Sequence, residues 1–253
     1  MGFFEHLEEL RMTIVKSIMV AMVGIGIVSV YFVELFFFLR RPLLLAVGPD
    51  RAKEILVSPL KPTGTATMVM SVSVFGGVVL VLPIIAYFVV RFVAPGLTKR
   101  EKGLLRPALM AAVALFFAGV EICFLYMLPA AMKFFVWLDG LLEIQSRWPL
   151  DEYYSLVVWA CLAMGLAFEF PLILVILQVL DIVSPETLRT SRRYAIVVMA
   201  VIGMLIAPSP DPISMLVTMA PMLLLYEAAI IVGVVLRRRK QAAEDLLESQ
   251  NTG

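Results

Sequence analysis

Glu169 is the only formal charge in residues 153–180, a run of 28 residues, and Pro171 follows it two positions later. An acidic side chain at the bilayer centre costs roughly 2.5–3.5 kcal/mol even on the mild insertion scale, so an intramembrane carboxylate is a candidate functional group. It lies twelve residues before Asp181, roughly 18 Å along a helix, which places it near mid-membrane. Pro171 has no N–H for the carbonyl of Ala167, and its ring crowds that carbonyl, so a kink is predicted beside Glu169. A partly hydrated pocket holding the carboxylate is one reading; simple packing accommodation of the proline is the other.

Three further acids fall in apolar runs. Glu34 and Glu227 sit near span ends, where snorkelling or water satisfies them. Glu121 lies fourteen residues after Pro107, roughly 21 Å along the helix and towards its outer end, and its role is open. Glu9 and Glu101 form a second constellation at a membrane surface, where two carboxylates can hold two guanidinium groups by bidentate, charge-assisted hydrogen bonds. The alternatives are local pairs, Glu9 with His6 and Glu101 with Lys99 or Lys102.

The inventory for catalysis is poor. His6 is the only histidine, and no HExxH or GxSxG occurs. Cys123 and Cys161 stand far apart in predicted spans without CxxC spacing, and read as small apolar residues. No glycine precedes a lysine, so a P-loop is absent and energy must come from elsewhere. No catalytic residue, cofactor or metal is expected, nor is nucleic acid an expected partner.

The elements that position these residues are membrane helices. The 253-residue chain is 61% hydrophobic and 16% charged, with a mean hydropathy of +0.96. Ordinary globular chains are roughly 45–50% apolar and about 25% charged, so the excess must face lipid. Six apolar runs occur at residues 14–39, 65–90, 107–128, 153–180, 194–207 and 212–236, and strict period-two alternation is absent, which disfavours a barrel. The predicted fold is an all-α integral membrane protein with six spans in one domain, residues 1–236, followed by a basic and polar tail, residues 237–253.

An even number of spans puts both termini on one side. That side carries fourteen lysines and arginines against seven on the other, so both termini are expected in the cytoplasm. The acidic start is unlike a cleavable signal peptide. Residues 1–12 place Phe3, Phe4, Leu7 and Leu10 at helical spacing with Glu5, Glu8 and Glu9 between them. This predicts an amphipathic surface helix whose acidity suits a cationic partner. Four prolines in residues 40–64 predict a stiff outer cap, and the tail is expected to be loosely ordered. The fifth run has only fourteen residues, about 21 Å, and Glu227 interrupts the sixth, so two short helices and a locally thinned bilayer are expected.

Five segments resemble one family. FEHLEELR at residues 4–11, RFVAPGLTKRE at 91–101, LAFEFP at 166–171, SPETLR at 184–189 and GMLIAPSPDP at 203–212 occur in the order of the TatC family. That family is the multi-spanning core of the twin-arginine protein translocase, and the resemblance covers nearly the whole chain. It implies a cup-shaped six-helix bundle that receives twin-arginine signal peptides of folded cargo, driven by the proton-motive force. It implies that Glu9 and Glu101 bind the paired arginines, supported by Arg11, Phe92, Pro95 and Leu97, with Glu169 the polar group of the concave face. Met204 and Leu205 would meet a single-pass partner subunit, TatA or TatB, in a homo- and hetero-oligomeric assembly in the prokaryotic inner membrane. Pro42 and Asp211 match positions in the outer caps, whereas Glu121 has no counterpart. A proton- or cation-coupled transporter using Glu169 is the alternative, and an intramembrane enzyme is third.

Overall fold

The computed structural model describes residues 3–96, 99–180, 182–207 and 212–251. Its backbone forms two units, Met1–Leu166 and Ala167–Gly253, with the boundary inside one long helix. Among the described residues five helices are long and apolar enough to cross a membrane, within residues 4–30, 64–92, 105–141, 150–179 and 215–237.

In the first unit, α1 (Phe3–Val30) packs along α5 (Gly64–Val93). Their backbones approach closely at Gly24 and Gly77, where a Cβ on Gly77 would lie 2.5 Å from the Ile25 nitrogen. Small residues permit this approach where lipid supplies no hydrophobic drive between helices. Ser17 and Ser29 donate to the carbonyls of Thr13 and Ile25, so their hydroxyls stay satisfied inside an apolar segment. The amphipathic start is the first part of α1 and runs without a break into the apolar segment. That segment then pauses at Tyr31 and resumes as α2 (Phe32–Phe38).

A cap follows α2. It comprises α3 (Arg41–Val47), α4 (Pro49–Ile55) and the two-residue strand β1 (Leu56–Val57). Gly48 joins the two helices at φ 83°, a left-handed conformation that a side chain resists. Strand β1 pairs in parallel with β2 (Trp148–Pro149), and α3 packs on α7 (Leu128–Leu141). Two hydroxyls tie the α2–α3 corner to the first turn of α8 (Leu150–Val179): Tyr153 donates to the Leu39 carbonyl at 2.9 Å and Tyr154 to the Phe36 carbonyl at 2.8 Å.

The third helix runs well past its expected end at Leu128. Helix α6 (Lys99–Ile122) passes through one π-helical turn, Cys123–Met127, straight into α7. Pro129 fails to stop it because the wider turn just before the proline absorbs the missing i→i−4 bond and the ring's bulk. The same turn brings Cys123 within side-chain hydrogen-bonding reach of Cys161 on α8, a contact their separation in sequence concealed.

The second unit holds the end of α8, then α9 (Pro185–Thr190), α10 (Arg192–Ile206) and α11 (Pro212–Asn251). Ser184 caps α9, accepting from the Thr187 N–H at 3.1 Å, with Pro185 at the first position; this accounts for the SPETLR segment. Helix α10 has fifteen residues, about 22 Å by helical rise. The expected short sixth helix is instead 40 residues long, with an apolar part of 23 residues from Met215 to Arg237. Glu227 does not interrupt it, because Arg192 on α10 meets the carboxylate at 2.7 Å. The backbone of the tail continues the helix to Asn251.

Candidate functional site

The unbroken course of α1 carries its first turns alongside the end of α5. There the His6 ring stacks on Phe92, with centroids 4.5 Å apart and planes 15° from parallel. Glu9 lies three residues after His6, on the same side of the helix. It is half-buried, and its Oε2 is shielded from solvent without a hydrogen-bond partner among the described residues. His6 is engaged with Phe92 instead of pairing with Glu9. Arg11 bonds to Glu8 at 3.4 Å across two exposed side chains, so it is engaged away from Glu9. An ionised carboxylate is an acceptor only, and a shielded oxygen lacking a donor favours an incoming cationic N–H group.

Pro95 is exposed on the 3₁₀ turn Ala94–Gly96 that follows Phe92. Leu97 lies outside the described residues. Glu101 belongs to the first turn of α6, and its side chain lies outside the described residues. Phe92 and Glu9 are thus gathered on adjoining ends of α1 and α5.

Glu169 is half-buried on α8, and its Oε1 is shielded without a partner among the described residues. Pro171 is buried, and α8 continues through it to Val179. Met204 and Leu205 are exposed on α10, at 54% and 73%, and apolar side chains so bare on a membrane helix face lipid or another helix. Pro42 is buried in the first turn of α3, and Asp211 lies outside the described residues. Glu121 is exposed, two residues before the π-helical turn, and has no partner among the described residues.

Several polar contacts escaped the sequence reading. Gln178 is buried on α8, and its Nε2 donates to the carbonyls of Leu174 at 3.2 Å and Ala229 at 3.1 Å. Gly233 leaves room for that amide. Tyr226 donates to the Leu188 carbonyl at 2.8 Å, and Arg237 reaches Glu186 at 2.6 Å. Hydrogen bonding from its own backbone N–H and from Ser184, with the nearby Arg237, holds the Glu186 carboxyl below its ordinary range. A search confined to ionisable groups passes over Gln178, although a lone amide in an apolar run is itself a signal.

Residues 5–221 match the family model described as TatC, Sec-independent protein translocase protein. A TatC of Aquifex aeolicus is 34% identical over 95% of this chain and 98% of its own length. One of Synechocystis is 33% identical over 89% and 85%. A crystal structure of the twin-arginine translocase receptor TatC superposes with a TM-score of 0.77 at 33% identity, covering 91% of this chain and 98% of the other. The order of helices, the half-buried Glu9 carboxylate beside the His6–Phe92 stack and these likenesses agree, and the chain belongs to the TatC family of Sec-independent protein translocase proteins.

Proposed function

We propose that this chain is the twin-arginine signal-peptide receptor and assembly core of a translocase that exports folded proteins, driven by the proton-motive force. The observation that carries the reading is Glu9, a half-buried carboxylate beside the His6–Phe92 stack with a shielded oxygen that has no partner among the described residues. A guanidinium from the signal peptide would supply the missing donor in bidentate form, and Glu101 would take the second arginine. Arg11 supports this surface by occupying Glu8, which leaves Glu9 as the acceptor. Phe92 and Pro95 lie along its apolar border, and the family resemblance gives Leu97 the same supporting role.

In this reading the five long helices and α10 make six spans, which returns both termini to the cytoplasmic side of a prokaryotic inner membrane. The 15-residue α10 crosses by thinning the bilayer locally. Its exposed Met204 and Leu205 receive the single helix of TatA or TatB. Pro42 and Asp211 shape the outer caps, and Glu169 offers a polar foothold to the inserted peptide or a partner helix. Family membership speaks against the solute-transporter alternative, because the relatives are named as protein translocases.

Site-specific photocrosslinking of a twin-arginine peptide in membranes, against a twin-lysine control, tests the reading. Crosslinks near Glu9 and Glu101 should depend on the arginines and disappear in Glu9→Ala and Glu101→Ala. Equal labelling by both peptides, unchanged by either substitution, would sink the site.

A further inference from the structure

We propose that Arg40 and Arg41 form a headgroup site for an anionic phospholipid at the membrane face opposite the N-terminus. Helix α1 has 28 residues and spans about 42 Å, more than the roughly 30 Å of hydrocarbon. The two arginines, ten residues beyond its end, therefore sit at the far interface whichever way the chain is inserted.

Both guanidinium groups are held in place. Arg40 lies 4.5 Å from the Phe36 ring centroid and 5.4 Å from that of Phe37, and its Nε donates to the Tyr154 hydroxyl at 3.0 Å. Tyr154 itself stacks on Phe36 at 4.6 Å. Arg41 lies 5.1 Å from the Phe38 centroid. Contacts with ring faces orient a guanidinium without neutralising it, and the remaining N–H groups keep their capacity for a phosphate. Neither arginine has a carboxylate partner among the described residues.

The surroundings select a lipid over a soluble anion. Phe37 and Phe38 are 59% and 45% exposed, and Leu44 and Leu45 on α3 are 39% and 56% exposed. Two fixed positive charges thus adjoin bare apolar surface, an arrangement that matches a charged headgroup joined to acyl chains. A zwitterionic headgroup brings its own cation to the two arginines, whereas a phosphate headgroup of net negative charge brings none, so the anionic lipid is favoured. Preorganisation by the rings and Tyr154 removes much of the ordering cost that loose surface arginines carry.

Native mass spectrometry of the full-length protein, released from vesicles containing equal amounts of phosphatidylglycerol and phosphatidylcholine, tests this site. The wild-type chain should retain phosphatidylglycerol selectively. Arg41→Gln, at an exposed position, should reduce that retention about fivefold for the one charge. Arg51→Gln/Lys53→Gln, a two-charge loss on α4 next to the site, should leave it unchanged. Inorganic phosphate should not displace the bound lipid, because it lacks the chains. Equal retention of the two lipids, an Arg41→Gln variant that behaves as wild type, an equal loss in the α4 control, or displacement by phosphate would each overturn the proposal.

Discussion

Replacing Gly77 by alanine should loosen the pairing of α1 with α5 and, through it, the Glu9 surface. An alanine Cβ at Gly77 would lie 2.5 Å from the Ile25 nitrogen, 2.6 Å from its Cα and 2.9 Å from the Gly24 carbonyl carbon. All three are backbone atoms of α1, so no rotamer change relieves the overlap. Reaching the 3.4 Å of ordinary contact requires the helices to part by about 0.9 Å locally. A gap of roughly 0.5–1 Å forfeits a quarter to a half of the dispersion attraction across an interface, and overpacking of this kind costs about 1–3 kcal/mol. Alanine's better helix propensity offsets at most about 1 kcal/mol. Even after the full offset overpacking leaves a net loss of up to about 2 kcal/mol.

Gly26 on α1 supplies the control, because an added Cβ there meets no atom within 4 Å. Gly26→Ala should be neutral or stabilising by up to about 1 kcal/mol. Unfolding in mixed micelles with a rising SDS fraction, followed by helical circular dichroism, measures both. A cysteine pair replacing His6 and Phe92 reports the site end of the interface, and its crosslinking yield should fall in the Gly77→Ala background. A Gly77→Ala protein as stable as wild type, with undiminished crosslinking, would refute the backbone-contact reasoning.

In the second unit, Gln178→Leu removes the bond to the Ala229 carbonyl and should destabilise by about 0.5–1.5 kcal/mol, in line with interhelical hydrogen bonds in membranes; an unchanged SDS midpoint would argue against that bond. The Glu186 carboxyl is held below its ordinary range in the folded chain, so its contribution is complete above that range and is lost as pH falls towards the lowered value. Acidification below the ordinary carboxylate range should therefore speed backbone hydrogen exchange in α9, corrected for the intrinsic rate, in a step that Glu186→Gln abolishes, and the same pH profile in both proteins would exclude the Glu186–Arg237 pair as its origin.

Local patterns were legible where one helix decides the outcome. Apolar runs marked the long helices, because length and hydropathy belong to consecutive residues; the cap at Ser184 was not singled out, although its side chain, proline and first helical turn are also consecutive. The end of the third apolar run at Leu128, just before Pro129, misled for the opposite reason. A proline ends a helix only if no neighbouring turn can absorb it, and here Cys123–Met127 widens to do so. Glu227 misled likewise: as a lone charge it reads as an interruption, but its partner Arg192 lies 35 residues away on another helix.

Glu169 was identified as a candidate from the cost of placing a carboxylate in an apolar run, a property of residue type and surroundings that a single chain displays, whereas Glu9 was singled out with Glu101 as a carboxylate pair able to hold guanidinium groups. Sequence also determined the all-helical membrane class, since hydrogen-bonding the backbone in lipid leaves few alternatives to helices. Which oxygens lack donors was decided by tertiary structure. Only the stacking of His6 on Phe92 leaves Glu9 without its nearest local partner. Likewise, only the fold of α2 against α8 brings the Tyr154 hydroxyl to Arg40, 114 residues away along the chain. Hydrogen bonds and ring contacts act over a few ångströms in space, and separation along the chain carries little information about that distance.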